Sequence, residues 1–313
     1  MKKRFFPGTP TSRKGPQRNT YAPKSMAARA ILLDRTSVGH IRHFRDVENQ
    51  GRRLQWDFYA ALEQQRGEHS NAIQKAILEA AQGPFSFNRW QRIVDFHRSL
   101  TPLSTRGSVL TDPGGRFNVG DIDASKFPSF PALYLASDHA TALLEKFGPA
   151  DETRGLASND YALRPSTSYS CLLLRGELES IIDLNEPQRL EPFVDIIKTF
   201  EIPKDLPKRA QQLGLENPSL VRSATDLVSV LTTVTWRVFP MQFDVPSTSQ
   251  IFGRLAMSAG VEGILYPSSK TGHECLAIFP TKISGKSFVE LESPVPDAVR
   301  HRRLDADTFQ DFL

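Results

Sequence analysis

Early in the chain, apolar residues fall twice at helical spacing: Trp56, Tyr59, Ala60 and Leu62 form one stripe, and Ala72, Ile73, Ala76, Ile77 and Ala80 a second. Residues three and four apart share a helical face, so each stripe predicts an amphipathic helix. Ser70-Asn71 offers the second helix an N-cap, and Gly83-Pro84 stops it. A third helix is predicted over 90–96, with Ile93 and Val94 inward. From Arg106 to Pro131, glycine and proline recur too often for regular structure.

The rhythm then shortens. Leu133-Tyr134-Leu135 reads as a short strand, and Ser137 or Asp138 can cap a helix that Gly148-Pro149 ends. Further strands are predicted at 169–174, 181–184, 238–243, 263–266 and 275–279, the last two paired around a polar loop. Residues 190–235 read as largely helical, with Val228, Leu231 and Val234 on one face and breaks at Pro203, Pro207 and Pro218. A helix from Ser247 to Ala259 turns Ile251, Leu255 and Ala256 inward. Strands alternate with helices without a βαβ run or a Gly-x-Gly-x-x-Gly loop, which argues against Rossmann and P-loop nucleotide sites.

Composition narrows the class. With 313 residues, 39% hydrophobic and 24% charged, the chain can bury one large core, or a medium domain with an appendage. No apolar run approaches the roughly 20 residues that span a bilayer, and Pro7-Gly8 interrupts the basic opening before a signal-peptide core can form. A cytoplasmic protein without membrane association is expected. Every charged residue ahead of Asp34 is basic, so residues 1–30 form a basic arm expected to be disordered, with weak nucleic-acid contact as its candidate function. Cys171 and Cys275 both lie in apolar strand-like runs and are expected to be buried, reduced thiols. His40 and His43 have helical spacing but lack acid or cysteine partners, so no metal site is expected.

Chemistry concentrates in three places. Arg116 sits in the turn Gly114-Gly115-Arg116-Phe117-Asn118, where glycines let a backbone approach an anion and the guanidinium fork can hold two of its oxygens. The bland alternative is a loop arginine paired with Asp112 or Asp121. Tyr134 offers a ring and a hydroxyl, though a strand tyrosine also serves as core. Glu145 lies among Ala142, Leu143, Leu144 and Phe147 near a helix C-terminus, where the dipole disfavours a carboxylate. Ser268 and Ser269 follow Gly263-Ile264-Leu265-Tyr266-Pro267 and supply hydroxyls. Asn118 suits the turn's backbone or a phosphate contact. Trp236 reads as core.

In this order the segments resemble the RES domain: a Gly-Gly-Arg turn with Phe117 where tryptophan is common, a tyrosine strand, a helix reading Ala142-Leu143-Leu144-Glu145, and a late Gly-Ile-x-Tyr-Pro-Ser strand. The resemblance runs over residues 101–290. It implies an α+β fold, a mixed β-sheet core like that of ADP-ribosyltransferases wrapped by helices. Here a helical N-terminal region over 31–100 would precede a catalytic domain over 101–313. It implies NAD as substrate with no prosthetic group, and cleavage of the nicotinamide–ribose bond. Arg116, Glu145 and Ser268 would be catalytic, and Arg116, Asn118, Tyr134 and Ser269 would bind NAD. It further implies a toxin held by an antitoxin protein. The N-terminal helices and the insert at 190–235 depart from the compact family form. Two other readings remain open: a nucleic-acid-associated protein working through its basic arm, and a nucleotide sensor that binds NAD without turnover.

Overall fold

A run of eleven residues, β1 (Phe85–Asp95), forms the spine of the sheet. The computed structural model describes residues 38–148, 168–292, 294–299 and 301–313, with the side chains of 38–44 outside that description. The chain divides into Met1–Glu48 and Asn49–Leu313. Of the first unit, the described part is the opening of helix α1 (Val38–Glu68), and the basic arm expected over 1–30 lies outside the described residues. Everything below belongs to the second unit.

The helix predicted over 90–96 is corrected to strand β1, so the sheet begins ahead of residue 101. The misreading has a physical cause. Trp90, Ile93 and Val94 are all buried, but Trp90 and Ile93 lie in different core clusters. A strand covered on both faces buries apolar residues three and four apart and so mimics helical spacing.

After α2 (Ser70–Ala80) and β1 comes the short helix α3 (Arg106–Leu110). The hairpin of β2 (Gly114–Gly115) and β3 (Asn118–Val119) then leads to β4 (Leu133–Ala136) and α4 (His139–Phe147). Next are β5 (Tyr169–Leu178) and β6 (Ile181–Asp183). Helices α5 (Glu191–Ile197), α6 (Leu206–Gln212), α7 (Ala224–Leu231), α8 (Val238–Phe243) and α9 (Thr248–Ser258) follow. Four strands close the chain: β7 (Gly263–Pro267), β8 (Glu274–Ile278), β9 (Phe288–Leu291) and β10 (Arg303–Asp305).

The main sheet has eight strands in the order β10-β9-β5-β1-β4-β8-β7-β6. Its neighbours pair antiparallel except β6 and β7, which are parallel. Parallel neighbours need a crossover, and the helices from α5 to α9 supply it, which is the structural reason for the helical stretch at 190–235. The fold is therefore α+β, a mixed sheet wrapped by helices. Alternation divides the sheet between two cores. Leu133, Leu135, Leu265, Leu276 and Ile278 face one cluster, while Tyr134, Ala136, Ile264, Tyr266 and Ala277 face the other. The second cluster carries the packed faces of α2, α5, α7 and α9.

The strand predicted over 238–243 is also corrected, to helix α8. Pro240 has no N–H to give a ladder, and Val238, Phe239 and Met241 are exposed, so their alternation marks a surface and not a sheet face. Cys275 is buried as expected, whereas Cys171 is exposed on β5, its Sγ 3.0 Å from Gln91 Oε1. No described helix is long and apolar enough to cross a membrane.

Candidate active site

Helix α9 holds the glycine turn in place. Ser247 and Gln250 form a reciprocal capping box at its start. Gln250 Nε2, no longer needed there, lies 2.8 Å from the Pro113 carbonyl, 3.2 Å from that of Gly115 and 3.1 Å from that of Asn118. Gly253 faces the Phe117 carbonyl with no room for a side chain. Gly114, at φ 93°, sits in the left-handed region that glycine tolerates.

Asn118 is fully buried and completes the turn from within. Its Oδ1 accepts the Gly115 N–H at 3.0 Å and the Tyr134 hydroxyl at 2.8 Å, while its Nδ2 donates to the Ser108 and Phe130 carbonyls at 2.7 and 3.1 Å. All four of these bonds shape the turn. Tyr134 donates to Asn118 and accepts the Phe117 N–H at 2.9 Å, and burial pushes its phenol well above the usual range. Its hydroxyl thus fixes the turn, and its half-buried ring lies against Gly115.

This framework aims Arg116 into the molecule, only 6% exposed. Its Nη1 donates to the carbonyls of Leu231 and Thr233 at 3.2 and 2.7 Å, and its Nη2 to Ser269 Oγ at 3.0 Å. Those partners lie at the end of α7 and after β7, far along the chain, and not at Asp112 or Asp121.

Glu145 comes from α4, which Asp138 caps by accepting the Thr141 N–H at 2.9 Å. Ser268, buried at the end of β7, donates to Glu145 Oε1 at 2.6 Å. Lys270 Nζ stands 3.6 Å from Glu145 Oε2 and donates to the Leu144 carbonyl at 2.6 Å. Two more links join this loop to α4: Thr271 with Thr141 at 2.9 Å, and His273 Nδ1 with Asp138 Oδ2 at 2.8 Å. Adjacent serines therefore reach the arginine and the carboxylate from one turn.

Arg237 escaped the sequence reading, while Trp236, read as core, is indeed buried. The Trp236 ring is buried, with the Arg237 guanidinium 4.4 Å from its centroid and that of Arg116 5.9 Å away. The Arg237 pKa is lowered, first by burial and then by the Arg116 charge, while Glu145 opposes the shift. A Trp-Arg pair after a helical run has no spacing signature, so only the fold reveals it. Arg116, Arg237 and Lys270 outnumber Glu145, which makes the site suited to an anion with one locally cationic part. Among the described residues, no three His, Cys, Asp or Glu side chains gather as a metal site.

The family model for the RES domain matches residues 89–305. The chain belongs to the RES-domain family. The RES match starts within β1 and ends at β10, wider at both ends than the resemblance read from the motifs, and it takes in the whole crossover. Among solved structures, a chain of the M. tuberculosis MbcT–MbcA toxin–antitoxin complex shares 16% identity. The alignment covers 77% of this RES protein and 96% of that chain, with a TM-score of 0.38, too distant to equate residues. No curated protein matches.

Proposed function

We propose that this RES protein consumes NAD by breaking the bond between nicotinamide and ribose. The observation that carries the reading is the double tie from one turn, Ser269 to Arg116 and Ser268 to Glu145. It fixes a permanent cation and a carboxylate on opposite sides of one short loop, which suits a substrate that is anionic at its pyrophosphate and develops positive charge at its sugar.

The chemistry follows from that substrate. Nicotinamide in NAD is bonded through a positively charged nitrogen, so the electron pair of the C–N bond leaves with it and neutral nicotinamide departs without a strong acid. The ribose then carries oxocarbenium character, which the Glu145 carboxylate stabilises by opposite charge. The Ser268 hydroxyl holds that carboxylate in one orientation, and Arg116 anchors the pyrophosphate. The Tyr134 ring, its hydroxyl already engaged, lines the pocket for stacking. An acceptor, whether water, phosphate or a protein side chain, adds to the sugar carbon and gives up its proton.

Incubating the pure protein with NAD and following free nicotinamide tests this. Release is expected, with loss in both Arg116→Ala and Glu145→Ala. NAD binding without release would make the protein a sensor, and release that survives in both variants would displace the site. Products formed in phosphate and in phosphate-free buffer identify the acceptor. The biological reading is a cytoplasmic toxin restrained by an antitoxin protein. Unchecked expression should arrest growth and deplete NAD, and Glu145→Ala should relieve both.

A further inference from the structure

A cavity of about 620 Å³ opens among α1, α5, α7, α8 and α9, within the about 300–1,000 Å³ of ordinary ligand sites. Its walls are chiefly apolar, with Phe193, Leu227 and Phe252 buried, Phe243 half-buried and Phe239 exposed. One buried cation interrupts them. The Arg66 side chain is 10% exposed, its Nε donates to Glu63 Oε2 at 2.9 Å, and its guanidinium lies 5.4 Å from the Tyr59 ring centroid. Among the described residues, its Nη2 is buried and has no hydrogen-bond partner.

Glu63 does not neutralise this corner. Arg254 Nη2 takes both of its oxygens, at 2.6 and 2.7 Å, so two guanidinium groups share one carboxylate. The other acids on the lining, Glu216 and Asp226, are exposed, and Asp226 accepts the Arg222 N–H at 3.2 Å. A guanidinium in an apolar wall that shares its only carboxylate is costly to cover. Filling the cavity with a neutral apolar molecule would add to that cost, whereas a highly charged anion would meet too few donors.

We propose that this cavity binds a small amphipathic anion, its apolar body among the phenylalanines and Leu227 and a single carboxylate-like group against the Arg66 guanidinium in the wall. The occupant would touch α8 and α7, whose last residue Leu231 holds Arg116 through its carbonyl together with Thr233 just beyond it.

Calorimetric titration of the whole protein with decanoate and with decanol tests the assignment without using NAD turnover. Decanoate should saturate one site and bind at least about tenfold more tightly than decanol, the worth of a charge-assisted hydrogen bond. Arg66→Gln, which leaves Glu63 its bonds from Arg254, should bring decanoate to the level of decanol. Val230→Trp, which fills the cavity from α7, should abolish both. If Arg66→Gln fails to fold, the ratio of the two probes and Val230→Trp still decide. Absence of saturable binding, equal affinity for the two probes, or decanoate affinity unchanged in Val230→Trp would overturn the proposal. A cavity closed by a partner's side chains would take neither probe and overturn it equally.

Discussion

The Ser268 hydroxyl donates a hydrogen bond to Glu145 Oε1 at 2.6 Å across 123 positions of chain. The bond joins the residue after β7, the strand next to the sheet's edge, to the last turns of a helix whose dipole there repels a carboxylate. The placement of Glu145 is therefore set by this loop and not by its own helix.

Ser268→Ala tests that dependence. A hydrogen bond to a charged group contributes about 1.5–3 kcal/mol, so nicotinamide release should fall roughly tenfold to a hundredfold in kcat. The fold should hold, because the Ser268 N–H still donates to the His273 carbonyl. Steady-state kinetics with NAD check it, and a kcat equal to that of the natural protein would deny Glu145 its proposed role.

Gly253→Ala reverses the usual rule for helices. In an open helix alanine is better than glycine by about 1 kcal/mol. At this position a Cβ would run into the backbone of Phe117 in the glycine turn. Overpacking of this kind costs about 1–3 kcal/mol, so urea denaturation should show destabilisation. Because the turn carries Arg116, NAD turnover should fall as well. A variant as stable as the parent would mean that α9 and the turn are not tightly packed.

Asp138 makes stability depend on acid. Burial works to raise its pKa, but hydrogen bonds from the Thr141 N–H and hydroxyl and from His273 outweigh it and hold the carboxyl at about 2 against an ordinary 3.8. A folded pKa below the unfolded one adds stability that is present above the unfolded value and lost as pH falls through the folded one. The window is thus from about pH 4 down to about pH 2. Asp138→Asn keeps a good helix cap but cannot titrate. The stability gap between the two proteins should therefore narrow across that window in denaturation series, and a constant gap would exclude Asp138 as its source.

Much of the architecture can be read from the chain, and the exceptions have causes. The packed faces of α2 and α9 show plain helical spacing, and β7 and β8 are apolar runs bounded by glycine and proline. Strand β1 was hidden because both of its faces are covered, Trp90 in one cluster and Ile93 in the other, and α8 by its exposed apolar residues. In the site, Arg116, Tyr134, Glu145, Ser268 and Ser269 were legible because each sits in a recognisable turn, strand or helix of a known order. Their convergence was not, since Arg116 is anchored by carbonyls of Leu231 and Thr233 that no side-chain pattern marks. Arg237 and the cavity around Arg66 arise only when α7 and α8 fold back across the sheet.

Arg237 should act on NAD binding more than on bond cleavage. It shares the Trp236 ring with Arg116, and the two like charges raise each other's cost until an anion lies between them. A pyrophosphate has two phosphoryl groups, and Arg116 alone spends three of its hydrogen bonds on Leu231, Thr233 and Ser269. Arg237→Gln should therefore raise KM for NAD by about tenfold, near 1.4 kcal/mol, with kcat changed less than in Ser268→Ala. A salt series gives a second readout, because an exposed phosphate contact weakens as ionic strength screens it. If KM stays fixed while kcat collapses, Arg237 stabilises the departing group or the sugar cation's surroundings, and the pyrophosphate rests on Arg116 without it.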